Sequence, residues 1–405
     1  MRATLVSYGS TGDVRPLVAL ALGLSAAGHE AVLVGDGSGT DLAASHGLEF
    51  HALPGDLRDQ LAPGTPLALT AEVGHFTVKS FRDHHYPHRE WLDTMTEAAS
   101  GSQVVVGMPM AASHALAVAR DVGARPVVAV LQPLAPTREF VPAGIGTPRL
   151  PGFLNRPVGR LVEFAGWRLV ASGINRRRRE LGLSRISDPT RGAQTLCAWS
   201  PTLVPRPADW VSSQFAVTGH WGLPADPSWR PDADLQSFLD AGEPPVYVGF
   251  GSMPPVSWIP ALVDALLTGL AGRRVLLSAG WARLDVGSLP SGVFPLGFAP
   301  HDWLFPRCAA VVHHCGAGTT HAAAAAGVPT IAVPMTLDQP FWAERLARLG
   351  IGTRPIDPRN PDAGAVRDAL REAGSVGMGD RAAAVAERMA SEDGVASAVA
   401  RLEQI

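Results

Sequence analysis

Short apolar runs rich in β-branched residues recur along the whole chain, and stretches with helical spacing separate them. A strand that is apolar on both sides must be covered on both faces, as in parallel sheets flanked by helices. The pattern therefore predicts an α/β chain with doubly wound parallel sheets. The predicted strands are Thr4–Ser7, Ala31–Val34, Val104–Val106 and Pro126–Leu131 in the first half, and Pro245–Phe250, Arg274–Ser278, Ala309–His313 and Thr330–Val333 in the second.

The length of 405 residues suits two domains. A proline-rich stretch with few strand signals, residues 201–244, marks the boundary. A helix is predicted at Arg15–Ala27, ending at Gly28, and an alanine-rich helical stretch at Asp380–Leu402. The predicted division is an N-terminal domain at 1–207, a linker and boundary region at 208–244, a C-terminal domain at 245–385, and a helix at 386–405 that crosses back to the first domain.

Composition excludes several classes of protein. Hydrophobic residues make up 46% and charged residues 18%, which permits a large core, and the net charge of −3 offers no general attraction to nucleic acid or to an anionic membrane. Three scattered cysteines, Cys197, Cys308 and Cys315, indicate neither a disulfide framework nor a metal site. No window is apolar enough for an integral membrane segment, so we expect a cytoplasmic protein.

The arginine-rich run Asn175–Glu180 favours a solvated helix face, with contact to anionic lipid or substrate as the alternative.

Two glycine turns follow predicted strands. In the first, Gly9 to Pro16, Asp13 stands at the start of a helix, where its carboxylate either accepts a proton from a bound hydroxyl or acts as an N-cap. The turn lacks the spacing of a dinucleotide site, which disfavours a dehydrogenase. In the second turn, a strand ends in two histidines and a helix is predicted to open at Thr319, so its free N–H groups suit a pyrophosphate.

An acid–amide pair, Asp338 and Gln339, follows the next predicted strand. These side chains suit sugar hydroxyls, although Asp338 also fits a helix N-cap. Together with the two turns, the pair resembles the inverting family 1 glycosyltransferases of the two-domain B-type fold, in which two Rossmann-like halves face each other across a cleft. The likeness is to bacterial enzymes that glycosylate antibiotics, such as the vancomycin-group transferases, and to sterol glucosyltransferases. It covers both halves, and the motif from His313 to Gln339 is its most specific part.

The resemblance implies a donor site in the C-terminal half. In that family the glycine turn holds the diphosphate, the acid–amide pair binds the transferred sugar, and neighbouring loops approach the phosphates and the nucleobase. The residues implied to bind the donor are Ser10, Gly12, Ser252, Phe298, Ala299, His314, Gly316, Gly318, Thr319, Thr320, Asp338 and Gln339.

Two departures refine this expectation. Asp13 stands where many family members place a histidine base, as in the antibiotic and sterol branches. Ala322 stands where plant members carry a glutamate for the ribose hydroxyls, so a dTDP-sugar is expected to be tolerated and a UDP-sugar stays open.

The implied activity is metal-independent transfer of a sugar, with inversion, from a nucleotide diphosphate to a hydroxyl of a hydrophobic small molecule, a natural product in antibiotic biosynthesis. The nucleotide sugar is a co-substrate, no resident cofactor is expected, and the residues that bind the acceptor stay unassigned. Two alternatives remain open, namely a sugar-nucleotide epimerase on the same scaffold and a non-catalytic partner that activates another transferase.

Overall fold

The computed structural model of the chain describes residues 1–62, 65, 86–146, 150–251, 253, 256–278, 280 and 289–405. These residues form two compact units. Unit 1 holds the described residues of 1–61, 86–223 and 393–405, and unit 2 holds residues 62 and 65 and those described of 224–392. The chain passes from unit 1 to unit 2 after residue 223, inside the stretch 208–244. It returns to unit 1 at residue 393 rather than at 386.

Unit 1 contains a seven-stranded sheet in which every pair of neighbouring strands is parallel, in the order β3-β2-β1-β4-β5-β6-β7. The four strands predicted here are confirmed. Three others were not predicted, because β3 and β6 mix partly exposed with buried positions and β7 has only three residues. The strands are β1 (Arg2–Val6), β2 (Glu30–Asp36), β3 (Glu49–Leu53), β4 (Val104–Gly107), β5 (Arg125–Val130), β6 (Gln194–Cys197) and β7 (Phe215–Val217).

The helices of unit 1 pack against this sheet through small and aliphatic side chains, such as Leu17, Leu20 and Leu24 of the first helix, each at most 1% exposed. That helix begins four residues before the predicted Arg15. The helices are α1 (Thr11–Ala26), α2 (Thr40–Ser45), α3 (Leu57–Gln60), α4 (His88–Ala98), α5 (Ala112–Asp121) and α6 (Gly152–Glu180).

Unit 2 contains a five-stranded parallel sheet in the order β10-β9-β8-β11-β12. Its core is apolar on both faces, as the continuous apolar strands predict. The strands are β8 (Val246–Gly249), β9 (Val275–Ser278), β10 (Val293–Leu296), β11 (Ala310–His313) and β12 (Thr330–Ala332). The helices are α7 (Ala233–Asp240), α8 (Ile259–Gly269), α9 (His301–Leu304), α10 (Ala317–Ala325), α11 (Gln339–Leu349), α12 (Ala363–Ala373) and α13 (Val376–Met389).

The strand orders place a topological switch point in each sheet. In unit 1 the chain leaves β1 toward β2 on one side and later adds β4 on the other, and in unit 2 the same reversal occurs between β8 and β11. Crevices at the carboxyl ends of such strands are where ligands bind in open α/β sheets. The glycine turns of the sequence therefore lie at the position in each unit where a ligand is expected.

The last helix, α14 (Gly394–Glu403), belongs to unit 1. Two glycines permit its approach, since a Cβ on Gly219 would lie 2.8 Å from Cα of Gly394. The side chain of His29 meets Glu403 at 2.9 Å, and Arg401 donates to the carbonyl oxygen of Ser213 at 3.0 Å. The predicted helical stretch 380–402 is divided between two helices, because α13 ends at Met389 and α14 starts after its own N-cap, Asp393.

The longest described helix, α6, is only partly a solvated surface. Within its arginine run, Arg178 is 5% exposed and forms an ion pair with Asp121, and Arg177 pairs with Asp93 at 2.7 Å. The prediction of a solvated helix face is therefore wrong for Arg177 and Arg178.

No helix in the described part of the chain combines the length and the apolar character needed to cross a bilayer. All three cysteines are buried and unpaired by disulfides, and the cytoplasmic location stays a prediction.

Candidate active site

Asp13 lies in the first turn of α1, held by the residue that starts the helix. Ser10 is the N-cap, and its backbone N–H and hydroxyl donate to Asp13 Oδ2 at 2.8 and 3.1 Å, while its hydroxyl oxygen accepts from the N–H of Gly12 at 3.2 Å. This is a capping box, which satisfies N–H groups at the helix start. The simple N-cap reading of Asp13 is therefore wrong, because Ser10 occupies that position.

Gly9 makes this arrangement possible. A Cβ at residue 9 would lie 2.3 Å from Asp13 Oδ2, so only glycine leaves room for the carboxylate to fold back over the turn. Burial raises the pKa of Asp13 to about 6, and the hydrogen bonds from Ser10 oppose that rise. A carboxyl group with a pKa near neutrality is suited to accept a proton from a substrate hydroxyl.

The second glycine turn lies between β11 and α10. The strand ends at His313, Cys315 adopts a positive φ of 60°, and α10 begins at Ala317 with Gly316 as its N-cap, two residues before the predicted Thr319. Helix geometry leaves the first N–H groups of α10 outside its own hydrogen-bond ladder. The N–H of Thr320, in contrast, donates to the carbonyl oxygen of Gly316 at 2.9 Å. The turn thus presents backbone donors at the positive end of a helix.

The two histidines at this strand end have different environments. His313 is fully buried; its Nδ1 accepts from the N–H of Cys315 at 3.1 Å, which leaves the proton on Nε2, facing Thr330 Oγ1 at 3.4 Å. Burial holds the pKa of His313 well below its ordinary value. His313 is therefore a neutral structural residue that shapes the turn.

His314 is packed between two glycines of unit 2. A Cβ on Gly316 would lie 2.5 Å from His314 Nε2, and one on Gly251, which follows β8 with a φ of +58°, would lie 3.1 Å from Cε1. Gly280 in turn approaches the backbone of Gly251, since a Cβ on Gly280 would lie 2.2 Å from the carbonyl oxygen of Gly251. Burial and the nearby His301 lower the pKa of His314 to about 4, so the ring is neutral at pH 7.

Two polar atoms at this turn lack a protein partner. Nδ1 of His314 and Oγ1 of Thr320 are both buried, and neither forms a hydrogen bond with any residue in the described ranges. A buried polar group without a partner costs free energy, so such atoms indicate a site for a polar ligand. The first-turn N–H groups of Ala317, Gly318 and Thr319 lie on the same turn, and a Cβ at Gly318 would contact nothing within 4 Å. The arrangement suits an anion with several oxygens.

A loop between β10 and α9 adds an aromatic surface to unit 2. The ring of Phe298 is 73% exposed, while Ala299 next to it is buried at 8%. His301 stacks on Phe305 with 4.3 Å between ring centroids. An exposed phenyl ring on a loop that follows a strand of the same parallel sheet is suited to stacking with a nucleobase, whereas Ala299 supports the loop through its packing in the core.

The acid–amide pair lies at the start of α11. Asp338 occupies the N-cap position, yet its carboxylate makes no capping bond and instead accepts from the indole N–H of Trp342 at 2.8 Å. The amide oxygen of Gln339 accepts from the N–H groups of Met335 and Thr336 at 2.7 and 3.0 Å. Gln339 therefore holds its own loop through its oxygen, and its NH₂ group donates to the sulfur of Met253 at 3.3 Å, which leaves one N–H of the amide for a sugar.

The structure brings most of the predicted donor residues of the C-terminal half onto loops at the carboxyl end of one sheet. The predicted residue Ser252 lies outside the described residues. Ser10 and Gly12 lie in unit 1, where the Ser10 hydroxyl is committed to the cap. Sequence reasoning missed Gly280, because its role depends on close approach to Gly251, a residue distant in sequence.

No group of three or more His, Cys, Asp or Glu side chains in the described ranges is arranged to hold a metal ion.

Both ends of the chain match family models. Residues 3–92 match the glycosyltransferase family 28 N-terminal domain, and residues 273–405 match the C-terminal domain of proteins similar to erythromycin biosynthesis protein CIII. The solved glycosyltransferase of kitacinnamycin superposes with a TM-score of 0.72 at 19% identity, covering 100% of this chain and 98% of that one, which shows the two-domain B-type fold.

Two curated relatives extend the match over the full length. The chain is 35% identical to the O-mycaminosyltylonolide 6-deoxyallosyltransferase of Streptomyces fradiae, covering 100% of this chain and 97% of that protein. It is 31% identical to a sterol 3-beta-glucosyltransferase of Arabidopsis thaliana, covering 98% of this chain and 64% of that protein. With the fold, the two glycine turns and these matches in agreement, the chain belongs to the family 1 glycosyltransferases of the B-type fold.

Proposed function

We propose that this glycosyltransferase moves a sugar, with inversion, from a dTDP- or UDP-sugar to a hydroxyl of a hydrophobic natural product or sterol-like acceptor. The observation that carries the donor class is the pair of buried, unpartnered atoms at the second glycine turn, His314 Nδ1 and Thr320 Oγ1. Together with the N–H groups at the start of α10, they provide several donors within one turn. Such a set matches the oxygens of two linked phosphates better than a single carboxylate.

Asp13 is proposed to act as the general base. As the acceptor oxygen attacks the anomeric carbon, the acceptor proton passes to the carboxylate and the bond from that carbon to the nucleotide diphosphate breaks. The raised pKa of about 6 leaves Asp13 ionised at pH 7 and still basic enough to take the proton. A single displacement of this kind inverts the configuration at the anomeric carbon.

The charge that grows on the departing diphosphate is proposed to be stabilised by fixed donors. The N–H groups of Gly318 and Thr319 and the hydroxyl of Thr320 are oriented by the helix before any ligand binds. Neutral His314 contributes a hydrogen bond rather than a full charge, since its pKa of about 4 keeps the imidazole unprotonated. Because these donors are preorganised, the proposed reaction needs no metal ion.

The acceptor class is proposed from the curated relatives. By their names, one acts on O-mycaminosyltylonolide and the other on a sterol. Both acceptors are largely apolar molecules with hydroxyl groups. We therefore place the acceptor of this chain in the same chemical class, without assigning the residues that bind it.

The test uses the purified chain alone, a panel of dTDP- and UDP-sugars, and hydrophobic acceptors with free hydroxyls. Mass spectrometry identifies the product, and NMR of the new glycoside gives its anomeric configuration. An inverted glycoside, formed equally well after treatment with EDTA, supports the proposal. A retained configuration excludes the single displacement, and conversion of the nucleotide sugar into an epimer, with no glycoside formed, supports the epimerase instead.

A non-catalytic role is tested by the same assay. If the chain alone binds the donor but transfers no sugar to any acceptor, and transfer appears only when a second transferase is added, the chain is an activating partner. Transfer by the chain alone, abolished by Asp13→Asn, excludes that role.

A further inference from the structure

The first half of helix α6 has its apolar side turned outward. In a helix of a globular protein, the apolar face ordinarily packs on the core and the polar face meets water. Here the two fully buried positions are polar or small: Asn155 donates to the carbonyl of Arg138 at 2.9 Å, and a Cβ on Gly159 would lie 2.9 Å from Cα of Pro136. This half of the helix is therefore attached to unit 1 by a polar, close-packed face.

The outward positions are large and apolar. Phe153 is 73% exposed, Leu161 64% and Phe164 60%, and Leu154 and Val162 are more than a third exposed. Phe153, Leu161 and Phe164 are separated by eight and three residues, a spacing that places them along one side of the helix. The side they form extends for about 16 Å. The second half of the helix is ordinary by comparison, with Val170 and Ile174 buried.

Positive charge surrounds this apolar side. Arg160 and Arg168 are both exposed, and Arg160 acts electrostatically on the carboxylate of Glu163, which also faces the charge of Asp188. Arg156 makes only a loose pair with Asp209, at 3.9 Å, and Glu163 is the one acidic residue among them. Residues 153–168 carry three arginines and one glutamate, a formal charge of +2, in a chain whose net charge is −3.

We propose that residues 153–168 of α6 dock this enzyme on an anionic lipid surface. The exposed phenyl and leucyl groups enter the boundary between headgroups and acyl chains, and the arginines pair with lipid phosphates while their stems cover apolar surface. A convex helix face with isolated large side chains offers no groove for a peptide. The local charge, opposite in sign to that of the whole chain, favours an anionic partner. This inference is independent of the proposed donor and acceptor.

The experiment is flotation of the purified full-length chain with phosphatidylcholine vesicles and with vesicles that also contain phosphatidylglycerol. We expect binding to the anionic vesicles, and a partition coefficient lower by about 100-fold in Phe153→Ser/Leu161→Ser/Phe164→Ser. Arg160→Gln/Arg168→Gln is expected to weaken binding to anionic vesicles by about tenfold and to leave the weak binding to neutral vesicles unchanged. All replaced side chains are exposed, and circular dichroism verifies that the variants fold.

Val211→Ser and Val376→Ser are the matched controls, since these apolar side chains are 61% and 79% exposed on other surfaces. They are expected to float like the unaltered chain. The proposal is overturned if the unaltered chain fails to bind anionic vesicles, or if the triple variant binds them as well as the controls do. It is also overturned if sedimentation velocity shows a dimer that the triple variant dissociates while no chain binds vesicles, because the face then contacts a second copy.

Discussion

The backbone N–H and the hydroxyl of Ser10 both donate to one oxygen of the Asp13 carboxylate, at 2.8 and 3.1 Å. The same carboxylate thus closes the first turn of α1 and is held in a fixed orientation by it. A structural and a catalytic role are compatible at this residue. They separate experimentally, because only the catalytic role requires a group that can accept a proton.

Asp13→Asn is expected to reduce kcat by about 100- to 10,000-fold. The asparagine oxygen still accepts from the N–H of Ser10, so in acid, where the Asp13 carboxyl is also neutral, the free energy of unfolding is expected to change by less than about 1 kcal/mol. Ser10→Ala is the matched control: it removes the cap but keeps the carboxylate, and we expect it to cost about 1 kcal/mol of stability while lowering the rate far less. Initial rates and thermal unfolding measure both. A folded Asp13→Asn variant with a near-normal rate would remove Asp13 from the base role.

The pH dependence of activity and of stability should run in opposite directions. Burial raises the pKa of Asp13 from 3.8 to about 6, so the folded chain binds this proton more tightly than the unfolded chain. The resulting stabilisation is complete below pH 3.8 and is lost as the pH rises through about 6, whereas the rate rises through the same range as the base ionises. The unfolding temperature of Asp13→Asn minus that of the unaltered chain should therefore be larger at pH 7 than in acid. An equal difference at both pH values contradicts the raised pKa.

Two glycines of the second turn should respond differently to alanine. In Gly318→Ala the new Cβ contacts nothing within 4 Å, so we expect unchanged stability and a dissociation constant for the nucleotide diphosphate raised by about tenfold or more, because the methyl group occupies the approach of the phosphates. In Gly316→Ala the Cβ would lie 2.5 Å from His314 Nε2, so the ring must move. Calorimetry of nucleotide binding and thermal unfolding distinguish the two effects.

The Gly316→Ala effect should depend on His314. In a double-mutant cycle with His314→Ala, the cost of Gly316→Ala is expected to shrink, since no ring remains to be displaced. Additive costs would show that the glycine serves the backbone alone.

Thr320→Val should leave the empty enzyme as stable as before, or slightly more stable, because it removes a buried hydroxyl that has no partner in the described structure. The same change should weaken binding of the nucleotide diphosphate by about tenfold, the contribution of one hydrogen bond to a charged group. Thr320→Ser keeps the hydroxyl and is the control. A loss of stability in Thr320→Val, with unchanged nucleotide binding, would assign the hydroxyl a structural role.

Much of the fold was predictable, because strands buried on both faces produce continuous apolar runs. The strand that ends at His313 and the turn after it were recognised this way. The predicted start of α10, at Thr319, was two residues too late, because the N-cap is Gly316 rather than a residue with a polar side chain. The strands β3 and β7 were missed because one alternates in burial and the other has three residues. The Ser10–Asp13 capping box was present in the sequence as a serine followed three residues later by an acid, and was overlooked.

Other parts of the site depend on contacts between distant segments. The packing of Gly251 and Gly316 around His314, and the use of the Gln339 oxygen by its own loop, have no local sequence signal. The outward apolar side of α6 was equally hidden, because periodicity identifies a face and not the direction in which it points.

The return of α14 to unit 1 has a consequence for how the protein is made. As the chain leaves the ribosome, residues 1–223 emerge before α14, the helix that packs on Gly23 and meets His29. Until α14 has been translated, unit 1 keeps an uncovered surface along α1. The unit whose synthesis starts first can therefore be completed only after residues 224–392 have been made.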